Sequence, residues 1–291
     1  MQTCHSEYGI IKTIFIKKAL DAFRDQEKID AEWKTLNFLS APDFKVTLTE
    51  SAQFEKHIRD NGAEVKFFPS EEVLSLDSIY CRDASIATDA GMIICNMGKP
   101  ARSGEPSACA KEYAKNAITI LGEIKSPGKV EGGDVAWLDT QTLAVGRTYR
   151  TNAEGVRQLR EMLAPIGVSV LEVQLPHYKG PGDVFHLMSI LSPVDKDLAV
   201  VYSPLMPIVF RDELINRGYR FVEVPESEFD TMGCNVLALA PRKCLMVKGN
   251  PKTKEQLHAA GCEVIEYDGQ EISYKGGGGP TCLTRPVFRE I

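Results

Sequence analysis

The sequence predicts an α/β fold in which five similar units close around a centre. One pattern recurs five times: an amphipathic helix ends at a glycine, and a short strand rich in apolar residues follows at once. The five glycines are spaced 43 to 60 residues apart and cover most of the 291-residue chain. No Pro- or Ser-rich linker separates the units, so we expect a single domain, residues 1–291, in which every unit sends a loop to one central pocket.

The individual elements follow from this pattern. Glycine suits the position after a helix because it takes the left-handed backbone conformation without a steric penalty. The five predicted helix ends are Lys56–Gly62, Ala117–Gly122, Arg160–Gly167, Leu214–Gly218 and Gln256–Gly261. Apolar segments between them are predicted as buried strands. These are Gly91–Cys95, Thr142–Val145, Asp197–Tyr202 and Lys243–Val247.

Composition argues against several classes of function. A net charge of −6 without a long basic run offers no surface for a nucleic-acid backbone. No stretch reaches the roughly 18 apolar residues of a membrane span, and Lys12 interrupts the N-terminal apolar segment Ile10–Ile16. None of the eight cysteines forms a C-x-x-C pair. We therefore expect a cytoplasmic protein with reduced thiols.

The most unusual motif is Gly276-Gly-Gly-Gly-Pro-Thr-Cys282. Four glycines allow the backbone to approach a ligand closely and expose the sulfur of Cys282. A flexible C-terminal loop is the alternative interpretation. Because Leu283–Phe288 have the pattern of a strand, we favour an ordered functional loop with Cys282 as a candidate nucleophile.

A cysteine nucleophile needs a partner for proton transfer and a group that orients this partner. His186 is the first candidate for the partner, although a lone histidine is more often a core residue, and His177 is the second. Glu131, in the turn Glu131-Gly-Gly-Asp134, is the candidate carboxylate, although solvated turns of this kind are common. The sequence lacks the spacings H-x-H and H-x-x-x-H, so we expect no metal.

Asp83 is a candidate ligand for a cation. It follows Arg82 and precedes the apolar residues Ala84–Ala87, which predicts the first residue of a buried strand rather than half of a surface ion pair. A buried carboxylate needs a cationic partner, and a ligand guanidinium supplies one through paired hydrogen bonds.

Taken in order, these motifs resemble the guanidino-group-modifying superfamily, and most closely its dimethylarginine dimethylaminohydrolase family. The resemblance extends from about Glu7 to Thr284. It depends on a set of five motifs, each weak alone: Asp77–Asp83, Glu131–Asp134, Val145–Gly155, Phe185–Leu187 and Gly278–Cys282.

The resemblance implies a five-bladed α/β propeller with pseudo-fivefold symmetry, the pentein fold, in agreement with the five units counted above. It implies Cys282 as the nucleophile, His186 as general acid and base, and Glu131 as the group that orients the histidine. The reaction would form a covalent thiouronium intermediate, release citrulline and need no cofactor.

The same resemblance implies four substrate contacts. Asp83 would hold the guanidinium nitrogens, Asp77 would be a further substrate-contacting acid, and Arg102 and Arg150 would bind the substrate carboxylate. The partner expected for this site is a small guanidino amino acid. A homodimer is one of the assemblies open to such a domain.

Two departures from the family leave the substrate open. Arg82 is more typical of arginine and agmatine deiminases, because methylarginine hydrolases tend to carry an acid there. His186-Leu-Met188 lacks the second acid of arginine deiminases, and 291 residues leave no room for their extra helical insertion. We therefore rank N-methylated arginine first, unmethylated arginine second, an amidinotransferase third and a binding protein without catalysis last. Glu105–Ala108 and Tyr178–Asp183 are candidate flaps over the pocket.

Overall fold

Five separate β-sheets form the protein, as the repeated sequence pattern predicts. The structure is a computed structural model and describes residues 2–291. Four sheets have three strands each, and the fifth has four because it takes strands from both ends of the chain. The expectation of a five-bladed α/β propeller is confirmed.

The strands are β1 (Gln2–Thr3), β2 (Ile10–Ile16), β3 (Glu64–Phe67), β4 (Ser85–Thr88), β5 (Gly91–Ile94), β6 (Ile120–Glu123), β7 (Val135–Asp139), β8 (Thr142–Arg147), β9 (Ser169–Gln174), β10 (Leu191–Asp195), β11 (Leu198–Val201), β12 (Arg220–Glu223), β13 (Leu237–Ala240), β14 (Lys243–Val247), β15 (Glu263–Tyr267) and β16 (Thr284–Glu290).

The α-helices are α1 (Ala19–Phe23), α2 (Gln26–Glu32), α3 (Phe44–Asp60), α4 (Glu105–Lys115), α5 (Ala153–Leu163), α6 (Ile208–Asn216), α7 (Glu226–Phe229) and α8 (Pro251–Ala259). Single 3-10 turns and one π-helical turn complete the elements: Leu76–Ile79, Pro100–Arg102, Gly132–Asp134, Ala164–Ile166, Leu187–Ser189, Ser203–Leu205 and Gln270–Tyr274. No helix between residues 2 and 291 has the length and apolar character needed to cross a membrane.

Each unit repeats one topology. Its first strand pairs antiparallel with its second, and the second pairs parallel with the third, as in β4, β5 and β6. Parallel strands need a long crossover, and a helix such as α4 supplies it. In the first unit the antiparallel partner of β2 is β16, from the other end of the chain. The C-terminal strand therefore closes the ring.

Four of the five predicted helix–glycine–strand joints are present. Their glycines have φ values between 76° and 86°: Gly62, Gly167, Gly218 and Gly261. The prediction at Gly122 was wrong. Helix α4 ends at Lys115, Ala117 takes the left-handed conformation (φ 54°), and Gly122 lies inside β6. The β-branched residues 118–120 favour a strand over a helix end.

The second strand of each unit lies in the core. Leu198–Val201 of β11 and Leu143–Val145 of β8 are almost completely buried. Apolar side chains of α5, including Leu159, pack in the same cluster as β8. A strand covered on both faces consists of continuous apolar residues rather than alternating ones, and each buried Leu or Val stabilises the fold by about 1.5–3 kcal/mol. All four predicted buried strands are confirmed.

Candidate active site

Repetition of the unit brings one polar side chain per unit to the centre. The five residues precede the first strand of their unit by two to five positions. They are Asp83 before β4, Glu131 before β7, His186 before β10, Asn235 before β13 and Cys282 before β16. A pseudo-fivefold arrangement places equivalent positions around one axis, so residues far apart in sequence meet.

These loops surround a cavity of about 260 Å³. Its polar wall contains Asp77, Asp83, Arg102, Arg150, His186 and Cys282. Its apolar wall contains Leu36, Leu39, Tyr178, Val184, Phe185, Phe229 and Met232. Glu131 is fully buried behind this lining. His177 is not part of the wall, and its Nδ1 lies 2.6 Å from the hydroxyl of Tyr149 instead.

His186 and Glu131 form a buried pair. Nε2 of His186 lies 2.9 Å from Oε2 of Glu131. The other oxygen, Oε1, accepts hydrogen bonds from the backbone amides of Gly98 and Lys99, each at 2.9 Å. Nη1 of Arg150 adds a contact at 3.4 Å. Because four donors surround it, Glu131 is held in one orientation and in turn fixes the imidazole ring.

The electrostatics of this pair favour an imidazolium. Burial alone favours the neutral ring, but three neighbouring carboxylates outweigh it and raise the pKa of His186 to about 9. The carboxylates belong to Asp134, Asp83 and Glu131. Burial opposes ionisation of Glu131, but the hydrogen bond and the charge of His186 lower its pKa below the usual value. At neutral pH the ring is therefore a proton donor.

Asp83 lies where the backbone approaches it closely. The amide of Gly133 donates to Oδ1 at 2.8 Å, and this oxygen lies 3.9 Å from Nδ1 of His186. A Cβ atom on Gly133 would lie 2.3 Å from Nδ1 of His186 and 2.8 Å from Oδ1 of Asp83. Only glycine therefore fits in the turn that separates Glu131 from Asp134. Asp83 itself precedes its strand, which begins at Ser85.

Arg102 has several protein partners. Nη1 donates to Oδ2 of Asp83 at 2.5 Å, Nε and Nη2 donate to Glu105 at 2.9 and 2.8 Å, and Nη2 donates to the carbonyl of Tyr80 at 2.7 Å. Four of the five N–H donors of Arg102 are thereby engaged. Its role as a carboxylate ligand stays a prediction. The flap predicted at Glu105–Ala108 was wrong, because these residues form the first turn of α4 and Glu105 is buried.

The remaining predicted ligands, Asp77 and Arg150, differ in how many of their hydrogen-bonding atoms already have a partner. Asp77 forms an ion pair with Nζ of Lys99 at 2.6 Å, and this ammonium also donates to the carbonyl of Leu36. Arg150 contacts Glu131 through Nη1 alone and lines the cavity. Among the predicted cations, Arg150 therefore has the most donors left for an anionic group. Both assignments stay predictions.

Cys282 lies between the glycine loop and Asn235. Nδ2 of Asn235 donates to Sγ of Cys282 at 3.5 Å, and Oδ1 of Asn235 accepts from the amide and hydroxyl of Thr281 at 3.0 and 2.9 Å. Burial, followed by the charge of Asp83, raises the pKa of the Cys282 thiol. A Cβ on Gly278 would lie 2.3 Å from the ring of Tyr80, so the loop is packed rather than loose.

Sequence reasoning missed Asn235. It lies in Gly-Cys-Asn235, which has no motif character of its own. The spacing could have identified it. The interval from His186 to Cys282 is about twice as long as the intervals between the other predicted site residues, and its midpoint is position 234. A polar residue near this midpoint is expected to face the same axis as the other four.

Asp83, Glu131 and His186 also form a group of metal-ligand types whose nearest atoms lie within 4.8 Å of one another. A histidine ligand must be deprotonated. The raised pKa of His186 opposes this state. Backbone amides also already bind one oxygen each of Glu131 and Asp83. The arrangement suits proton transfer better than cation binding.

Five α/β units around a pocket with a cysteine, a histidine and several carboxylates define the guanidino-group-modifying class of proteins. Within this class, the family model for eukaryotic N,N-dimethylarginine dimethylhydrolase matches residues 28–289. The chain belongs to this family.

Individual relatives agree with this membership. The N(G),N(G)-dimethylarginine dimethylaminohydrolase of Streptomyces coelicolor is 30% identical, over 72% of this chain and 73% of its own. The arginine deiminase of Listeria welshimeri is 25% identical, over 95% of this chain and 75% of its own. The solved structure of the dimethylarginine enzyme from Pseudomonas aeruginosa with citrulline has a TM-score of 0.77 at 23% identity, and covers 94% of this chain and 98% of that one. The family match and the two sequence relatives support a guanidino-group hydrolase, and the solved structure supports the fold.

Proposed function

We propose that the protein hydrolyses N-methylated arginine to citrulline with release of methylamine or dimethylamine, and that Cys282 is the nucleophile. The observation that carries the proposal is the convergence of Cys282, His186 and Asp83 on one cavity of amino-acid size. Asp83 offers a carboxylate for the guanidinium, and Arg150 offers a cation for the carboxylate of the substrate. The apolar wall accommodates N-methyl groups, which cannot donate hydrogen bonds.

In the first half-reaction the thiol of Cys282 releases its proton to solvent, and the thiolate attacks the guanidinium carbon. The substrate cation beside the sulfur lowers the pKa of a thiol whose pKa burial has raised. The imidazolium of His186 protonates the departing dimethylamine as the C–N bond breaks. The product of this step is a thiouronium joined to Cys282 by a C–S bond.

In the second half-reaction water attacks the same carbon. His186, now neutral, accepts one proton from this water, and the other passes through solvent to the released dimethylamine. The C–S bond breaks, and the thiolate of Cys282 leaves. In sum, the substrate cation and one water give citrulline and dimethylammonium. Glu131 acts through the ring of His186, and Asn235 acts through the sulfur.

The structure removes one argument for unmethylated arginine. The sequence Arg82-Asp83 suggested a deiminase, but the side chain of Arg82 does not line the catalytic cavity. It is buried and pairs with Glu7 at 2.9 Å. The identity of this residue therefore carries no direct information on the guanidinium that enters the cavity.

We also propose that residues 1–291 act as one catalytic domain in a reducing, cytoplasmic environment. Strand β16 lies between β1 and β2, so the two ends of the chain support one sheet. All eight cysteines are free thiols, and a nucleophilic thiol persists where the surroundings are reducing.

The test is product analysis with equal concentrations of L-arginine, N-monomethylarginine and asymmetric dimethylarginine. We expect citrulline with methylamine or dimethylamine from the methylated substrates. Ammonia from arginine alone would assign the chain to the deiminases instead. A guanidino product formed from an added amine would indicate an amidinotransferase.

Cys282→Ser should abolish turnover and retain substrate binding. Cys4→Ser is the matched control, because Cys4 is the other thiol with intermediate burial and does not line the cavity. Unchanged turnover in Cys282→Ser would refute the assignment of the nucleophile.

A further inference from the structure

A second, smaller cavity lies next to three buried arginines. Its volume is about 10 Å³, and its wall includes Arg82, Arg285 and Arg289. The three side chains are 1%, 4% and 2% exposed. Arg82 and Asp83 are adjacent in sequence but line different cavities. This site is therefore separate from the candidate active site.

The charges around this cavity do not balance. Glu7 is the one carboxylate in its wall among residues 2–291, against three guanidinium groups. Both oxygens of Glu7 accept from Nη2 of Arg82, at 2.9 and 3.0 Å. Burial lowers the pKa of Arg285, and it lowers the pKa of Arg289 to about 10. A buried cation without a counter-charge is costly.

Several hydrogen-bond donors of these arginines are also unused. Nε of Arg82, Nε of Arg285 and Nη2 of Arg289 have no partner within the described residues. Among residues 2–291, Arg285 makes a single side-chain hydrogen bond, from Nη2 to the carbonyl of Arg82. Arg289 donates from Nη1 to the carbonyls of Gly9 and Ala238. Buried donors are normally satisfied, so unused ones beside a cavity indicate a further acceptor.

We infer that this cavity binds a small inorganic anion of the chloride type. A monatomic halide needs no defined hydrogen-bond geometry, supplies one of the two missing negative charges and accepts from several N–H groups at once. The volume is at the lower limit for one water-sized occupant. Chloride is larger than water, so its entry requires small outward shifts of the guanidinium groups. Phosphate, sulfate and carboxylates are too large for it.

The location gives the anion a structural role. Arg285 and Arg289 belong to β16, the strand that closes the ring. The backbone amide of Arg82 donates to the carbonyl of Cys282 at 3.1 Å. A second negative charge beside the three arginines therefore stabilises the closing strand and the segment that carries Asp83.

Anomalous diffraction from crystals of the full chain soaked in bromide tests the site directly. We expect a bromide peak within hydrogen-bond distance of at least two of the three arginines. The absence of a peak there would overturn the proposal. This measurement does not depend on any variant folding, or on the activity of the enzyme.

Thermal unfolding tests the same site in solution. In chloride, Tm should exceed that in gluconate at equal ionic strength. Arg285→Met should lose most of this difference, whereas Arg220→Met, an exposed arginine paired with Asp197, should keep it. Equal Tm values in the two salts for the unmodified protein would mean that bromide binds at crystal concentrations only, and would overturn the proposal.

Discussion

Replacing Glu131 with glutamine should lower the pKa of His186 and weaken its role as an acid. The substitution keeps the shape of the side chain and removes one charge. Oε2 of Glu131 lies 2.9 Å from Nε2 of His186, which makes it the carboxylate in closest contact with the ring. The next contact is Oδ1 of Asp83, 3.9 Å from Nδ1.

The size of the effect follows from the geometry. A pKa of about 9, against the ordinary value of about 6.5, corresponds to roughly 3 kcal/mol in favour of the imidazolium. An opposite charge this close contributes roughly 1–3 units. In Glu131→Gln we therefore expect the pKa of His186 to fall by roughly 1–3 units. Loss of orientation should also reduce kcat by about 10²–10⁴-fold.

The assay is a ¹⁵N-histidine NMR titration in the Cys282→Ser background, where the thiol of Cys282 no longer titrates. The resonance of His186 is the one that disappears in His186→Asn. Glu172→Gln is the control, because Glu172 pairs with Arg147 and Arg160 away from the cavity. An unchanged titration of His186 in Glu131→Gln would refute the electrostatic reasoning.

The remaining predictions concern stability, binding and the thiol. The raised pKa of His186 contributes about 3 kcal/mol to the stability of the folded protein. This contribution is complete below pH 6.5 and is lost as the pH rises through about 9. Urea unfolding across this pH range should show the loss. Asn235→Ala should raise the pKa of Cys282 further, because the sulfur loses the hydrogen bond that lowers this pKa. The pH dependence of inactivation by iodoacetamide measures this change, and an unchanged profile would limit Asn235 to packing. Arg150→Ala should raise KM for substrates with a carboxylate, and an equal loss with agmatine, which has none, would contradict this role. Gly133→Ala should cost about 1–3 kcal/mol in stability and displace His186, and full activity of this variant would show that the turn can relax.

The fold was largely predictable from sequence because its signals are local. A glycine with positive φ after a helix depends on residues within one turn, and four of five such joints are present. The failure at Gly122 has the same local origin. Ala117 occupies the left-handed position without being glycine, and the β-branched residues that follow it belong to β6. A pattern search for glycine therefore shifted this joint by five residues.

The components of the site were also predictable as a set, but their hydrogen bonds were not. The motif residues Asp83, His186 and Cys282 line one cavity because each precedes the first strand of a unit. The partners of Glu131 include the amides of Gly98 and Lys99, which have no side-chain signature. Backbone donors become visible only when the loops are placed in three dimensions.

Arg82 illustrates the limit of reading a dipeptide by analogy. In sequence it is the neighbour of Asp83, and a comparison of motifs treats the pair as one unit of specificity. In the fold the two side chains line different cavities, and Arg82 pairs with Glu7, 75 residues away. Its charge is paired with that of Glu7 in the interior beside β16, and not with a substrate. Substrate preference must therefore be sought in the residues that line the catalytic cavity, where the apolar wall rather than Arg82 should distinguish methylated from unmethylated arginine.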